Sequence, residues 1–278
     1  MENLKEKILE KKELKGLSSE FLDVFLNEYK LKNQKLFKTL EEKKFNEKSK
    51  EFDELKKAIR KKLREVHGVF TKDSIGPDKK EKFISELKKA KKDEELEIIE
   101  TILKSHRSTL ERIKNYSNLY SQIFDERTKK ILDLGCGYNP FSIEYIKTPV
   151  EYICFDINKD ETDFIQKYFN LKKIKGTAEV IDLTDEKNMK RIEFESKTSD
   201  VCLMFKLLDS LESKKRGSSK ILINNIKSKK LIISFPLKTI GGRKEIKGKR
   251  KWFDKILEEQ KRSVKELIID NEHYYILD

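Results

Sequence analysis

From Lys130 onward the chain alternates short β-branched runs with helical stretches, and no other feature restricts its fold as much. The runs are KKILDL, EYICFDI, AEVIDL, DVCLMF and KKLIISF, followed by KELIID and HYYIL. Strands joined by helix-length connections pair in parallel, whereas strands joined by a two-residue spacer fold back on each other. The first five runs therefore predict a mainly parallel sheet flanked by helices. The last two, separated by Asn271-Glu272, predict an antiparallel hairpin at the sheet edge.

The first hundred residues have a different texture. Glycine occurs there only at Gly16, Gly68 and Gly76 and proline only at Pro77, while apolar residues recur at spacings of three and four. Leu22, Phe25, Leu26 and Tyr29 form one stripe, Phe52, Leu55, Ile59, Leu63 and Val66 a second, and Phe83, Ile84 and Leu87 a third after the Gly76-Pro77 breaker. A further helix is expected from Ser105 to Phe124, with Leu110, Ile113, Tyr116, Tyr120 and Ile123 on one face. The expected organisation is α/β, with an all-helical domain over 1–104 followed by a nucleotide-binding type of α/β domain over 105–278.

Composition narrows the function classes. Sixteen Phe and nine Tyr exclude a wholly disordered chain. No stretch approaches the roughly 20 apolar residues of a membrane span, and Met1 to Leu14 lacks the apolar core of a signal peptide, so a cytoplasmic protein is expected. Three Cys and three His without a CxxC exclude zinc ribbons, iron–sulfur ligation and a disulfide framework, so no metal is expected. Cys136, Cys154 and Cys202 all lie in apolar surroundings and read as buried free thiols. Of the net +13, a balance of +12 falls between Lys206 and Lys251, where 15 Lys and Arg face three acids. Such a cluster beside a folded core is the footprint of polyanion binding, nucleic acid above all; a solvated lysine-rich surface is the plainer alternative.

The strand ILDL runs into Gly135-Cys136-Gly137-Tyr138-Asn139-Pro140, a glycine turn at the place where such sheets bind nucleotide-like ligands. Asp156 ends the second strand, where an acid holds ribose hydroxyls, and Asp182 ends the third, where an acid accepts an adenine amino group. Features in register at three successive strand ends fit a Rossmann-like class I methyltransferase that binds S-adenosyl-L-methionine. They fit a dinucleotide enzyme less well, because Phe141 stands beyond Pro140 and the third glycine of that fingerprint is absent.

Four stretches carry a closer resemblance: SHRSTLERIKNYSNLYSQIF, DLGCGYNPFSI, MFKLLDSLE and SFPLKTIGGR. Together they resemble the aminoglycoside-resistance 16S rRNA guanine-N7 methyltransferases, and the helical region with its LREVHGVF element is similar in order and length. The resemblance implies that Arg112 binds the cofactor carboxylate, Gly135 and Gly137 its methionine portion, Asp156 with neighbouring Ile157 its ribose, and Asp182 with Leu183 its adenine. It implies further that the helical domain helps dock on the small ribosomal subunit; no part in cofactor binding is expected of that domain, because its charge is nearly balanced and the cofactor motifs lie outside it, and a monomer is expected. The chain departs from the family at Asp209, where proline is usual, and in Lys244 to Arg250, which is about two residues shorter.

Guanine N7 has an in-plane lone pair and no proton to lose, so transfer needs alignment rather than a general base. His67, His106 and His273 accordingly read as structural, and Cys136 as a packing residue. Lys206 and Phe235, at the ends of the fourth and fifth strands, are the candidate catalytic residues, the alternatives being a helix-start lysine and a core phenylalanine. Lys238, Arg243, Lys244, Lys247, Lys249 and Arg250 are the candidate RNA contacts. Two other readings stay open: a methyltransferase for another rRNA or tRNA position, and a non-catalytic RNA-binding ribosome-assembly protein.

Overall fold

The computed structural model describes residues 2–11, 14, 16–64, 75–238 and 250–278. Its centre is a seven-stranded sheet: β1 (Lys130–Leu134), β2 (Glu151–Asp156), β3 (Gly176–Val180), β4 (Val201–Phe205), β5 (Lys230–Pro236), β6 (Val264–Ile269) and β7 (Glu272–Leu277). The strand order is β3-β2-β1-β4-β5-β7-β6. The first five strands are parallel, and β7 enters antiparallel between β5 and β6, so the expected hairpin is present.

The central strands β1, β2, β4 and β5 are buried along most of their length because both faces are covered, whereas β3 and β6 at the edges are partly exposed. Ile131, Cys154, Leu203 and Ile232 point into one core, with α8 (Tyr116–Ile123) and α9 (Lys159–Lys172). Their neighbours Leu132, Phe155, Cys202 and Ile233 point into the other, with α10 (Met189–Thr198), α11 (Leu208–Lys214), α12 (Ser218–Asn225) and α13 (Lys251–Glu259). This is the period-two alternation of a strand played out between two helical layers. All three cysteines are buried free thiols, and burial pushes each thiol above its usual range.

The helices of the N-terminal region pack into two cores. Helices α1 (Glu2–Leu9), α2 (Ser19–Lys32), α3 (Gln34–Glu42) and α4 (Lys50–Leu63) close around their own core of Leu4, Ile8, Leu22, Phe25, Phe37, Phe52, Leu55 and Ile59. Ser18 and Ser49 accept from the third-residue amides of α2 and α4, which fixes where those helices start. Helices α5 (Pro77–Lys89) and α6 (Lys92–Lys104) instead place Phe83, Leu87, Ile99, Ile102 and Leu103 in the core of the sheet. Periodicity reveals an apolar face but not which partner covers it. Val66 and the His67-Gly68 helix stop lie outside the described residues.

The helix expected over Ser105–Phe124 is two helices, α7 (Arg107–Arg112) and α8. The chain turns between them, with the Asn115 amide on the Arg112 carbonyl (2.7 Å), and Arg112 is carried into the interior. Leu110, expected on the buried face, is 46% exposed. Among the described residues no helix is long and apolar enough to cross a membrane.

Candidate active site

At the C-terminal ends of β1, β2 and β4 lies a cleft of about 780 Å³ of empty space, part of it open to solvent. That falls within the range of roughly 300 to 1,000 Å³ usual for small-molecule sites. Seven of the expected residues line it: Gly135, Gly137, Asp156, Ile157, Asp182, Leu183 and Lys206.

The turn after β1 is held from two sides. The Gly135 and Cys136 amides both donate to the Phe155 carbonyl, and the Gly137 amide donates to Asp156 Oδ2 (2.9 Å). Gly135 and Gly137 have φ of +63° and +49°, and a Cβ on either would meet Leu207 Cδ1 at 2.5 Å or His106 Nε2 at 2.9 Å. Only glycine fits both the backbone and the space. Beyond the turn, Pro140 opens a 3-10 segment, Asn139–Tyr145.

Asp156 also accepts from the Asn158 amide through Oδ1 (3.1 Å), so both carboxylate oxygens are fixed in direction and each keeps lone pairs for a ligand. Asp182 lies two residues beyond the end of β3 rather than on it. Its Oδ1 takes the Thr184 amide and hydroxyl, and its Oδ2 the ammonium of Lys214. Burial opposes its charge, but Lys214 and Thr184 prevail and hold the carboxyl below the ordinary aspartate range.

Lys206 follows β4 with φ of +53°, a left-handed conformation that is strained for a side-chain-bearing residue. Its amide is fixed by the Ser234 carbonyl and hydroxyl (both 3.1 Å), and its ammonium lies between Glu111 and Glu272. Glu272 takes Arg112 Nε at 3.0 Å and the Ser234 hydroxyl as well. Arg112 in turn reaches Asn139 Oδ1 (3.2 Å), which also accepts from Tyr116, while Asn139 Nδ2 donates to Asp133 (2.8 Å). One buried polar chain therefore runs from beneath the glycine turn to Lys206 in the cleft.

Other candidates lie elsewhere. Arg112 is behind the cleft wall, paired to Glu272 and stacked on Phe205 at 4.6 Å; Phe205 lines the cleft and Arg112 does not. Phe235 is buried against Phe253, Trp252 and Tyr275, away from the cleft lining, the core position that its apolar ring favours. Arg250 is bound to Asp209 through Nε and a second nitrogen (2.8 and 2.7 Å) and stacks on Phe235 at 4.3 Å, so its charge is balanced within the protein. Lys238 is exposed, while Arg243, Lys244, Lys247 and Lys249 lie outside the described residues.

The cleft also holds residues that the sequence did not single out. Phe205, Leu207, Ile181 and Leu211 form apolar walls, and Ser108, Ser210 and Glu161 add polar groups. The walls next to Lys206 and Asp182 were legible from their neighbours; Glu161 and Lys214 carried no signal. His106 tilts against Tyr138 with its ring beside Gly137, and it too lines the cleft.

Burial pushes the Glu161 carboxyl up to about 8, with Asp156 adding to the effect and Lys80 opposing it. Burial likewise raises Asp133 to about 6. Unfolded carboxyls titrate near about 4, so between about pH 4 and about pH 8 the folded chain keeps protons that the unfolded chain has released. The contribution of these two groups to stability therefore falls as pH rises through that window and levels off above it. Glu161→Gln removes the larger contribution, and thermal melts of the variant should decline less than wild type between about pH 5 and about pH 8. Parallel declines would show that Glu161 does not titrate in that window.

The model of the ribosomal RNA methyltransferase family FmrO matches residues 30–276. A 16S rRNA (guanine(1405)-N(7))-methyltransferase of Proteus mirabilis is 32% identical over 241 residues, covering 81% of this chain and 84% of that protein. One of Micromonospora rosea is 28% identical over 178 residues, 62% of each chain. The solved 16S rRNA methyltransferase RmtF, in complex with S-adenosyl-L-homocysteine, shares the fold with a TM-score of 0.70 at 20% identity, over 100% of this chain and 97% of that one. The 16S rRNA methylase RmtB gives 0.65 at 20% identity, over 99% and 97%. A family match spanning nearly the whole chain, on a sheet whose glycine turn and strand-end acids meet in one cleft, places this protein in the FmrO family of ribosomal RNA methyltransferases.

Proposed function

We propose that the protein transfers a methyl group from S-adenosyl-L-methionine to guanine N7 of 16S rRNA in the small ribosomal subunit, at the position named for its relatives. The observation that carries this reading is the meeting of Gly135, Gly137, Asp156 and Asp182 around one apolar-walled cleft. The residues suit the cofactor. The glycines leave room for a chain passing close to the backbone, Asp156 has lone pairs for two ribose hydroxyls, and Asp182 lies beside Ile181 and Leu183, whose side chains suit a flat adenine.

The cofactor supplies an activated methyl group on a positively charged sulfur. The chain's own part is to orient and to exclude water. Lys206, which lines the cleft at the end of β4, is our candidate for positioning at the reacting end, with its ammonium held by Glu111 and Glu272. Arg112 remains our candidate for the carboxylate end of the cofactor; it stacks on Phe205, which lines the cleft. Guanine N7 has no proton to lose, so the transfer requires no general base.

The test is transfer of labelled methyl from the cofactor to purified small subunits, free 16S rRNA and tRNA, with mapping of the modified base. Label at guanine N7 in small subunits supports the reading; label confined to tRNA, or none, sinks it. RNA contact is assigned to Lys238, Arg243, Lys244, Lys247 and Lys249. Replacing these by alanine should flatten the salt dependence of RNA binding by about one log–log unit for each phosphate no longer neutralised, and leave cofactor affinity unchanged. An unchanged slope would show the lysines to be solvated surface.

A further inference from the structure

We infer that the N-terminal helical unit is itself part of the cofactor site: Phe21 of α2 walls the cleft and Lys214 ties that helix to Asp182, so ligand binding and docking of residues 2–64 against the sheet form one linked equilibrium. This rests on the reading that the cleft takes S-adenosyl-L-methionine, and it departs from the expectation that the helical domain has no part there.

Three contacts carry it. Phe21 is 4% exposed and is the residue of the α1–α4 core that also lines the cleft. The Lys214 ammonium sits 4.2 Å from the Phe21 ring centre and is hydrogen-bonded to Asp182, so the cation is held between an aromatic face of one unit and a carboxylate of the other. The segment after Asp156 is held in the same way. The Lys159 amide donates to the Gly16 carbonyl (2.9 Å), Leu17 and Asn158 form an antiparallel bridge, and Ile157 packs on the helical core. The acids at the ends of β2 and β3 therefore both lean on the N-terminal unit.

A ligand that contacts Asp156, Asp182 and Phe21 binds the docked arrangement more tightly than an undocked one. Linkage then requires the converse: bound ligand must hold the unit in place by the same factor.

The experiment uses the full chain and S-adenosyl-L-homocysteine. Phe21→Leu keeps the core filled but removes the ring face, and Lys214→Met keeps the stem but removes the charge. Each should weaken calorimetric affinity by about three- to thirtyfold, the range of one desolvated cation–aromatic contact. In the wild type, saturating ligand should slow hydrogen exchange of the most protected amides of α2 and α4 by at least the factor by which Phe21→Leu weakens binding. Wild-type affinity in both variants, or exchange in α2 and α4 that ignores bound ligand, overturns the inference and leaves the cofactor reading intact. A wild-type chain that does not bind the ligand overturns that reading itself.

Discussion

Glu272→Ala is expected to destabilise the protein by about 3 to 5 kcal/mol, the usual result of removing one partner from a buried ion pair. Glu272 is 3% exposed and faces two cations, Arg112 and Lys206, themselves 3% and 5% exposed. Burial opposes its charge, yet Arg112, Lys206 and the Ser234 hydroxyl hold its carboxyl below the usual glutamate range. A depressed carboxylate stabilises above its unfolded value and ceases to do so as pH falls through its folded value, so this contribution disappears only in acid. In a chain of this size the loss corresponds to a melting point lower by on the order of 10 °C. Glu272→Gln retains acceptors for Ser234 and Arg112 and should lose less. Calorimetric melts near neutral pH that match wild type in the alanine variant would show that the cluster adds nothing to stability.

Asp156→Ala should weaken S-adenosyl-L-homocysteine binding by roughly a hundredfold or more. The carboxylate already fixes the Gly137 and Asn158 amides, and its remaining lone pairs are those we assign to ribose. Two charge-assisted bonds at about 1.5 to 3 kcal/mol each amount to two to four powers of ten in affinity. The turn also loses its brace, so the two glycines no longer start from the bound geometry. Asp156→Asn should fall between wild type and alanine, because its one oxygen can still accept from a backbone amide while its NH2 group, a donor, cannot serve the other. A dissociation constant near the wild-type value in Asp156→Ala would remove this residue from the site.

What the sequence disclosed follows from how far each contact reaches along the chain. Gly135, Gly137, Asp156 and Asp182 each stand within about three residues of a strand end, and a parallel sheet brings such ends together whatever the loops do. Phe21 and Lys214 were not legible, because each reaches the cleft only through packing between helices distant in sequence. The break between α7 and α8 has the same origin: a continuous apolar stripe predicted one helix, but burying Arg112 beside Glu272 requires the chain to turn. Charge counting placed Arg250 with the RNA contacts, and counting is blind to Asp209, the family departure that pairs with it.

The position of β7 sets an order of events. It follows every other strand in the chain, yet it lies inside the sheet, between β5 and β6. During synthesis from the N-terminus, Arg112 and Lys206 emerge long before their shared carboxylate, and β5 waits with its outer edge unpaired. Lys206 already has Glu111, but without Glu272 an interior closed around Arg112 would hold a charge with no carboxylate beside it, which is costly. The last strand thus both completes the ladder beside β5 and carries the carboxylate that Arg112 and Lys206 share.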